Sequence, residues 1–165
     1  MRHSGKLLNL GCAIILMLVA TTSLRAAEPE RNGLGVGVIL GEPTGFSLKK
    51  WTGSTTAIDG GVAWSFSKGS SFHIHADYLW HAFDAIPGNV NLPVYYGIGG
   101  RLKATSTDNS GNTGTRLGIR GVVGIDFIPE RAPIDVFVEI APVMDFVPST
   151  DLGFNGGVGI RVWLR

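Results

Sequence analysis

The sequence predicts an all-β protein: an eight-stranded antiparallel up-and-down transmembrane β-barrel, preceded by a cleavable signal peptide. Three observations carry that prediction. After the leader, apolar residues recur at every second position, the period of a strand, and no stretch shows the spacing of a helix. Nearly every charge within the alternating segments falls on one parity. Glycines share that charged parity, interleaved with arginines and lysines.

The chain begins MRHSGKLLNLGCAIILMLVATTSLRAAE, with Arg2 and Lys6 ahead of an apolar run from about Leu7 to Val19 and small residues at Ala26 and Ala27. That is the layout of a secretory leader. Its unbroken apolar part, Cys12 to Ala20, is shorter than the roughly 20 residues a spanning helix needs. Residues 1–27 are therefore expected as signal peptide and 28–165 as one barrel domain. Cleavage removes Cys12, the single cysteine, so neither disulfides nor thiol chemistry are expected in the mature chain. It also removes Arg2, Lys6 and Arg25 from the 14 basic residues, leaving 11 against 13 acidic ones. No basic field remains to hold nucleic acid.

The first strand is expected over Leu34–Leu40, where Leu34, Val36, Val38 and Leu40 alternate with Gly35, Gly37 and Ile39. GEPTG turns the chain into Gly45–Trp51, and TGST leads into Ala57–Phe66, where Ile58, Val62, Trp64 and Phe66 oppose Asp59. SKGSS precedes Phe72–His81, which reads FHIHADYLWH: His73, His75, Asp77 and His81 on one side, Phe72, Ile74, Ala76, Tyr78 and Trp80 on the other. The longer AFDAIPGNVNLP connects to Val94–Ala104, and the polar TSTDNSGNTG, Thr105 to Gly114, to Thr115–Phe127. IPERAP and PSTD then separate Ile134–Val147 and Leu152–Leu164. With the N-terminus in the periplasm, TSTDNSGNTG lies outside the cell, as a solvated connection or a loop for a partner. The same count puts AFDAIPGNVNLP on the side where such barrels have short turns.

Within these segments one parity carries Lys49, Asp59, Asp77, Arg101, Lys103, Arg116, Arg120, Asp126, Asp135, Glu139, Asp145 and Arg161, six charges of each sign. Lys50 is the one charge on the apolar parity. Parity alone does not say which face points inward; the glycines do. Gly35, Gly37, Gly97, Gly99, Gly118, Gly124, Gly153, Gly157 and Gly159 lie on the charged parity. An eight-stranded barrel is only wide enough for its side chains to fill it, so absent side chains beside long ones suit a crowded lumen. On a water-facing surface such glycines would only weaken a strand. Equal numbers of opposite charges also suit an enclosed space, where unpaired ions are costly. The apolar parity is thus expected to face lipid. Trp64, Phe66, Phe72, Trp80, Phe127, Phe146 and Phe154 near segment ends fit interfacial girdles. Closure of the sheet gives every backbone group a partner.

With these features the chain resembles the small Gram-negative outer-membrane barrels of the OmpA/OmpX type. More closely, it resembles a family of secreted barrel proteins through GEPTG, AIDGGVAWSF, HIHADYLWH, YYGIGGRL and EIAPVMDFVPSTDLGFNGGVGIR, which together run over nearly all of the mature chain. The resemblance implies a place in the bacterial outer membrane, contact with its lipids, and insertion as a monomer by the outer-membrane assembly machinery. It brings no activity and no catalytic residue. Barrels of this kind commonly finish in an aromatic residue, whereas this chain ends Val162, Trp163, Leu164, Arg165.

Three chemistries remain to be weighed. His73, His75 and His81 with Asp77 are metal-ligand types, but inward neighbours on one strand stand roughly 6.5–7 Å apart, so a luminal hydrogen-bond network is expected and no metal or cofactor. Ser65, His73 and Asp59 are the parts from which a lipid A-modifying hydrolase could be assembled near one rim, the alternative to a structural or interaction role. A soluble lipocalin-like ligand carrier comes third, with the parities reversed. GLGVGVILG lacks the strand-then-helix context of a phosphate-binding loop. Twelve charges and the histidines in so narrow a lumen predict no stable ion conductance.

Overall fold

A computed structural model describes residues 33–65, 71–87, 91–106 and 113–164. They form eight strands: β1 (Leu34–Glu42), β2 (Gly45–Trp51), β3 (Thr56–Ser65), β4 (Ser71–Ala82), β5 (Val94–Ser106), β6 (Thr113–Phe127), β7 (Ile134–Val147) and β8 (Asp151–Leu164). Each strand pairs antiparallel with the next, and β8 returns to β1 with Leu34 opposite Leu164 and Glu42 opposite Gly156. The sheet closes into a barrel without a free edge. The expected leader (1–27), Phe66, residues 107–112 of the polar loop and Arg165 lie outside the described residues.

Alternation within each strand sets what the barrel shows and what it hides. In β4 the burial repeats strictly: His73, His75, Asp77, Leu79 and His81 point inward, and Phe72, Ile74, Ala76, Tyr78 and Trp80 outward. The same rule turns the apolar parity outward around the whole circumference. Leu48 and Ile58 are exposed on β2 and β3, Ile98 and Val123 on β5 and β6, and Ile140 and Phe154 on β7 and β8.

Two irregularities shape the wall. The register between β6 and β7 shifts between Leu117 and Gly118, and the ladder lapses opposite Pro142, which has no N–H to give. At the β1–β2 hairpin Gly41 takes φ +148°, where a side chain would be strained, and its added Cβ would strike the carbonyl of Gly156. Thr44 Oγ1 closes that turn, accepting from Gly41 N at 3.0 Å and donating to Gly41 O at 2.9 Å.

The two ends of the barrel differ. The β1–β2, β3–β4, β5–β6 and β7–β8 connections share one end, called here the hairpin end; the opposite end holds Leu34, Leu164 and the remaining connections. The long β4–β5 connection is tied down there. Pro93 O accepts from Asp126 N at 3.0 Å, Asn91 O accepts from Ile128 N at 3.1 Å, and Phe83 packs against the buried apolar cluster.

Candidate functional site in the barrel lumen

The lumen is layered. At the end opposite the hairpins it is apolar and aromatic: Trp51 stacks on Trp163 at 6.3 Å and lies 4.4 Å from the His81 ring, in a buried cluster with Leu79, Tyr95 and Phe137 that Ile39 joins from nearer the hairpin end. These residues share the parity of the charges. The interior is therefore not wholly ionic, as the charge pattern alone had indicated, and the parity rule applied to every residue type would have found them.

Above that plug lies the ionic layer. The Lys49 ammonium contacts the Asp126 carboxylate, and His81 Nε2 approaches the same oxygen at 3.3 Å. Arg161 lies over the Phe137 ring with its guanidinium carbon 3.7 Å from the centroid. It reaches Ser47 Oγ at 2.9 Å, Asp59 at 3.3 Å and Asp135 at 3.4 Å. Arg120 donates to Glu139 Oε1 at 2.9 Å, and its Nε stands 3.1 Å from Asp77 Oδ2. That second contact is an ion pair only, off the line of a hydrogen bond, so both atoms lack a hydrogen-bond partner. Tyr95 donates to the other oxygen of Glu139 at 3.0 Å.

Toward the hairpin end Arg101 grips Asp145 with two bonds, Nε to Oδ1 at 3.0 Å and a terminal nitrogen to Oδ2 at 2.6 Å, and gives a third, at 3.1 Å, to Asn155 Oδ1. Bidentate pairs of this kind fix orientation as well as charge. Arg116 is not luminal in the same sense. It is half-exposed at the rim and bonds Asp151 at 3.2 Å. Lys103 is only half-buried and lines the mouth.

Glycines make these contacts geometrically possible. Side chains separated by one intervening strand are about 9.5 Å apart at the backbone, so they can meet only by crossing the strand between them. Gly118 stands in register between Arg101 and Asp145, Gly99 between Asp77 and Arg120, Gly124 between Tyr95 and Glu139, and Gly37 between Ser47 and Arg161. An added Cβ would strike the Asp145 carboxylate at Gly118, the Asp77 carboxylate at Gly99 and the Tyr95 ring at Gly124.

The buried charges do not balance. Lys49, Arg101, Arg120 and Arg161 are buried with Asp59, Asp77, Asp126, Asp135, Glu139 and Asp145. The two remaining cations, Lys103 and Arg116, are displaced to the mouth. Two carboxylates, Glu42 and Asp151, are exposed at the same end.

The histidines do not converge. His73 and His75 meet edge to face at 5.4 Å, while His81 lies with Trp51 and Asp126. No group of three or more metal-ligating side chains gathers among the described residues. Asp59 is turned to Arg161, and it sits four residues along β3 from Ala63, the residue opposite His73, roughly 13 Å away. The structure thus does not place this carboxylate beside His73; the Ser65 side chain lies outside the described residues.

Ser47 and Asn155, which hold Arg161 and Arg101, were not singled out by sequence reasoning because nothing but parity marks an uncharged polar residue as luminal. No family model, curated protein or solved structure matches the chain.

Proposed function

We propose that this protein is a monomeric outer-membrane barrel of the OmpA/OmpX kind, whose lumen is plugged and whose role is structural or interactive. The observation that carries the reading is the direction of the apolar parity. Large apolar side chains stand exposed on all eight strands, from Leu40 and Phe46 to Ile140, Leu152 and Phe154, while the charged parity is buried. Monomeric soluble proteins rarely expose apolar patches beyond a few hundred Å². At roughly 1.5–3 kcal/mol per large apolar side chain taken out of water, a belt of this extent calls for a hydrocarbon solvent.

The outer aromatics support a bilayer fit. Phe46 and Trp64, with ring centroids 5.5 Å apart, lie toward the hairpin end, and Trp80 stacks on Tyr96 at 5.8 Å toward the other. On β4, Phe72 and Trp80 are separated by about 26 Å of strand, or about 20 Å along the axis after tilt, comparable with the apolar band of such barrels. A lipocalin-like carrier would need its apolar parity inward. A lipid hydrolase would need an orienting carboxylate at His73, and Asp59 is engaged elsewhere.

Cell fractionation with heat-modifiable gel mobility tests the reading. The protein is expected in the outer-membrane fraction, running faster unheated than boiled. Recovery as a water-soluble monomer without detergent would overturn it.

A further inference from the structure

At the hairpin end the lumen opens into a cavity of about 290 Å³, lined by the Gly41–Thr44 turn, Ala63, Trp64, Ser71, His73, Lys103 and Asn155. We propose that this cavity binds an oxyanion of the phosphomonoester class. The proposal stands on the barrel and its mouth, and holds whichever compartment the protein occupies.

The cavity's lining residue Asn155 is held by Arg101, which stands two residues deeper than Lys103 on β5 and is paired with Asp145. The aromatic cluster around Trp51 lies at the far end of the lumen. The volume is at the low end of the roughly 300–1,000 Å³ of small-molecule sites, which suits a compact headgroup.

An ammonium, an imidazole and an amide face this space. His73 and Lys103 are register partners on β4 and β5, and Arg116, the partner of Lys103 on β6, stands at the rim beside them, bonded to Asp151. Lys103 has no carboxylate within ion-pair distance among the described residues. His73 is 6% exposed, and its Nε2 has no hydrogen-bond partner. Asn155 is oriented by its neighbour: because its Oδ1 accepts from Arg101, its amide N–H groups are left for the cavity. Thr44 spends its hydroxyl proton on Gly41 O. The Glu42 carboxylate is exposed at the outer lip.

A cation, an amide donor and an unpartnered imidazole nitrogen around one opening suit an anion with several acceptor oxygens, which describes phosphate on a small ester or headgroup.

The test is calorimetric titration of inorganic phosphate into the folded, heat-modifiable barrel, with the Lys103→Ala and Lys103→Gln variants alongside. Saturable binding on the order of millimolar is expected for wild type, weakened about tenfold or more in both variants. Asn155→Asp, which turns a donor into a second negative charge, should abolish it. Lys50→Ala, on the outer face, should bind as wild type. A parallel arm adds a lysophosphatidic acid to the micelles. Displacement of phosphate by that lipid assigns the site to a headgroup, and its failure assigns it to a soluble phosphate ester; either outcome supports an oxyanion site. Absence of saturable binding in both arms, or equal affinity in wild type and Lys103→Ala, would overturn the proposal.

Discussion

Arg101 and Asp145 meet across Gly118: the arginine on β5 and the aspartate on β7 are joined by two hydrogen bonds, of 3.0 and 2.6 Å, over a β6 position that has no side chain. The same arrangement recurs at Asp77, Gly99 and Arg120, and at Tyr95, Gly124 and Glu139. A small barrel can hold these long side chains because each of the three contacts crosses its middle strand at a glycine.

Substituting such a glycine should therefore act as a charge-breaking mutation. Gly99→Val places a branched side chain against the Asp77 carboxylate and is expected to cost about 3–5 kcal/mol, the range for breaking a buried ion pair. Gly100, the next residue, faces outward, and only a carbonyl oxygen at 3.8 Å lies near its would-be Cβ. Gly100→Val should change stability by less than about 0.5 kcal/mol. Urea unfolding in lipid vesicles, read by gel mobility, separates the two; equal effects would contradict the crossing role of Gly99.

Lys49 and Asp126 bridge β2 and β6 through the centre of the lumen. Lys49→Met leaves Asp126 with only His81 at 3.3 Å, and a loss of about 3–5 kcal/mol is expected in the same unfolding assay. Lys49→Met combined with Asp126→Leu should recover most of it, because apolar replacement of both partners removes the unpaired charge. Additive losses would mean that the carboxylate has other compensation.

On the outer face the expected effect depends on depth. Ile140 is 64% exposed near the middle of β7, and Leu152 is 76% exposed at the start of β8. Ile140→Arg should destabilise by about 2–4 kcal/mol in a bilayer and Leu152→Arg by about 0–1. For a protein surrounded by water both exposed sites would tolerate arginine, so equal and small effects would argue against membrane insertion.

Conduction should be absent. The plug of Trp51 and Trp163, the paired ionic groups and the Arg101–Asp145 pair all occupy the lumen. Planar-bilayer recordings are expected to show no reproducible steps for wild type. Regular unitary steps would mean that one of these layers opens.

Much of this architecture is local and so was legible in the residues. The expected limits of the second and seventh strands, Gly45–Trp51 and Ile134–Val147, are those observed, and the other strands differ by at most two residues at either end. Period-two alternation is imposed by each strand on its own, so Asp77 and Arg120 could be placed on the inner face without knowing their partners. The crowding argument from glycine likewise needed only composition and barrel width.

The sequence by itself determined the strands, the parity of each side chain and the presence of an ionic lumen. Only the tertiary structure decided which ions meet, because contacts such as Lys49 with Asp126, 77 residues apart, depend on register and closure around the whole sheet. It also decided that Arg116 and Lys103 sit at the mouth rather than at depth, and that the β4–β5 connection is bonded to the end of β6. Alternation says which way a side chain points. Its height along the barrel and its neighbour across the lumen follow from the stagger of distant strands, which no local pattern encodes.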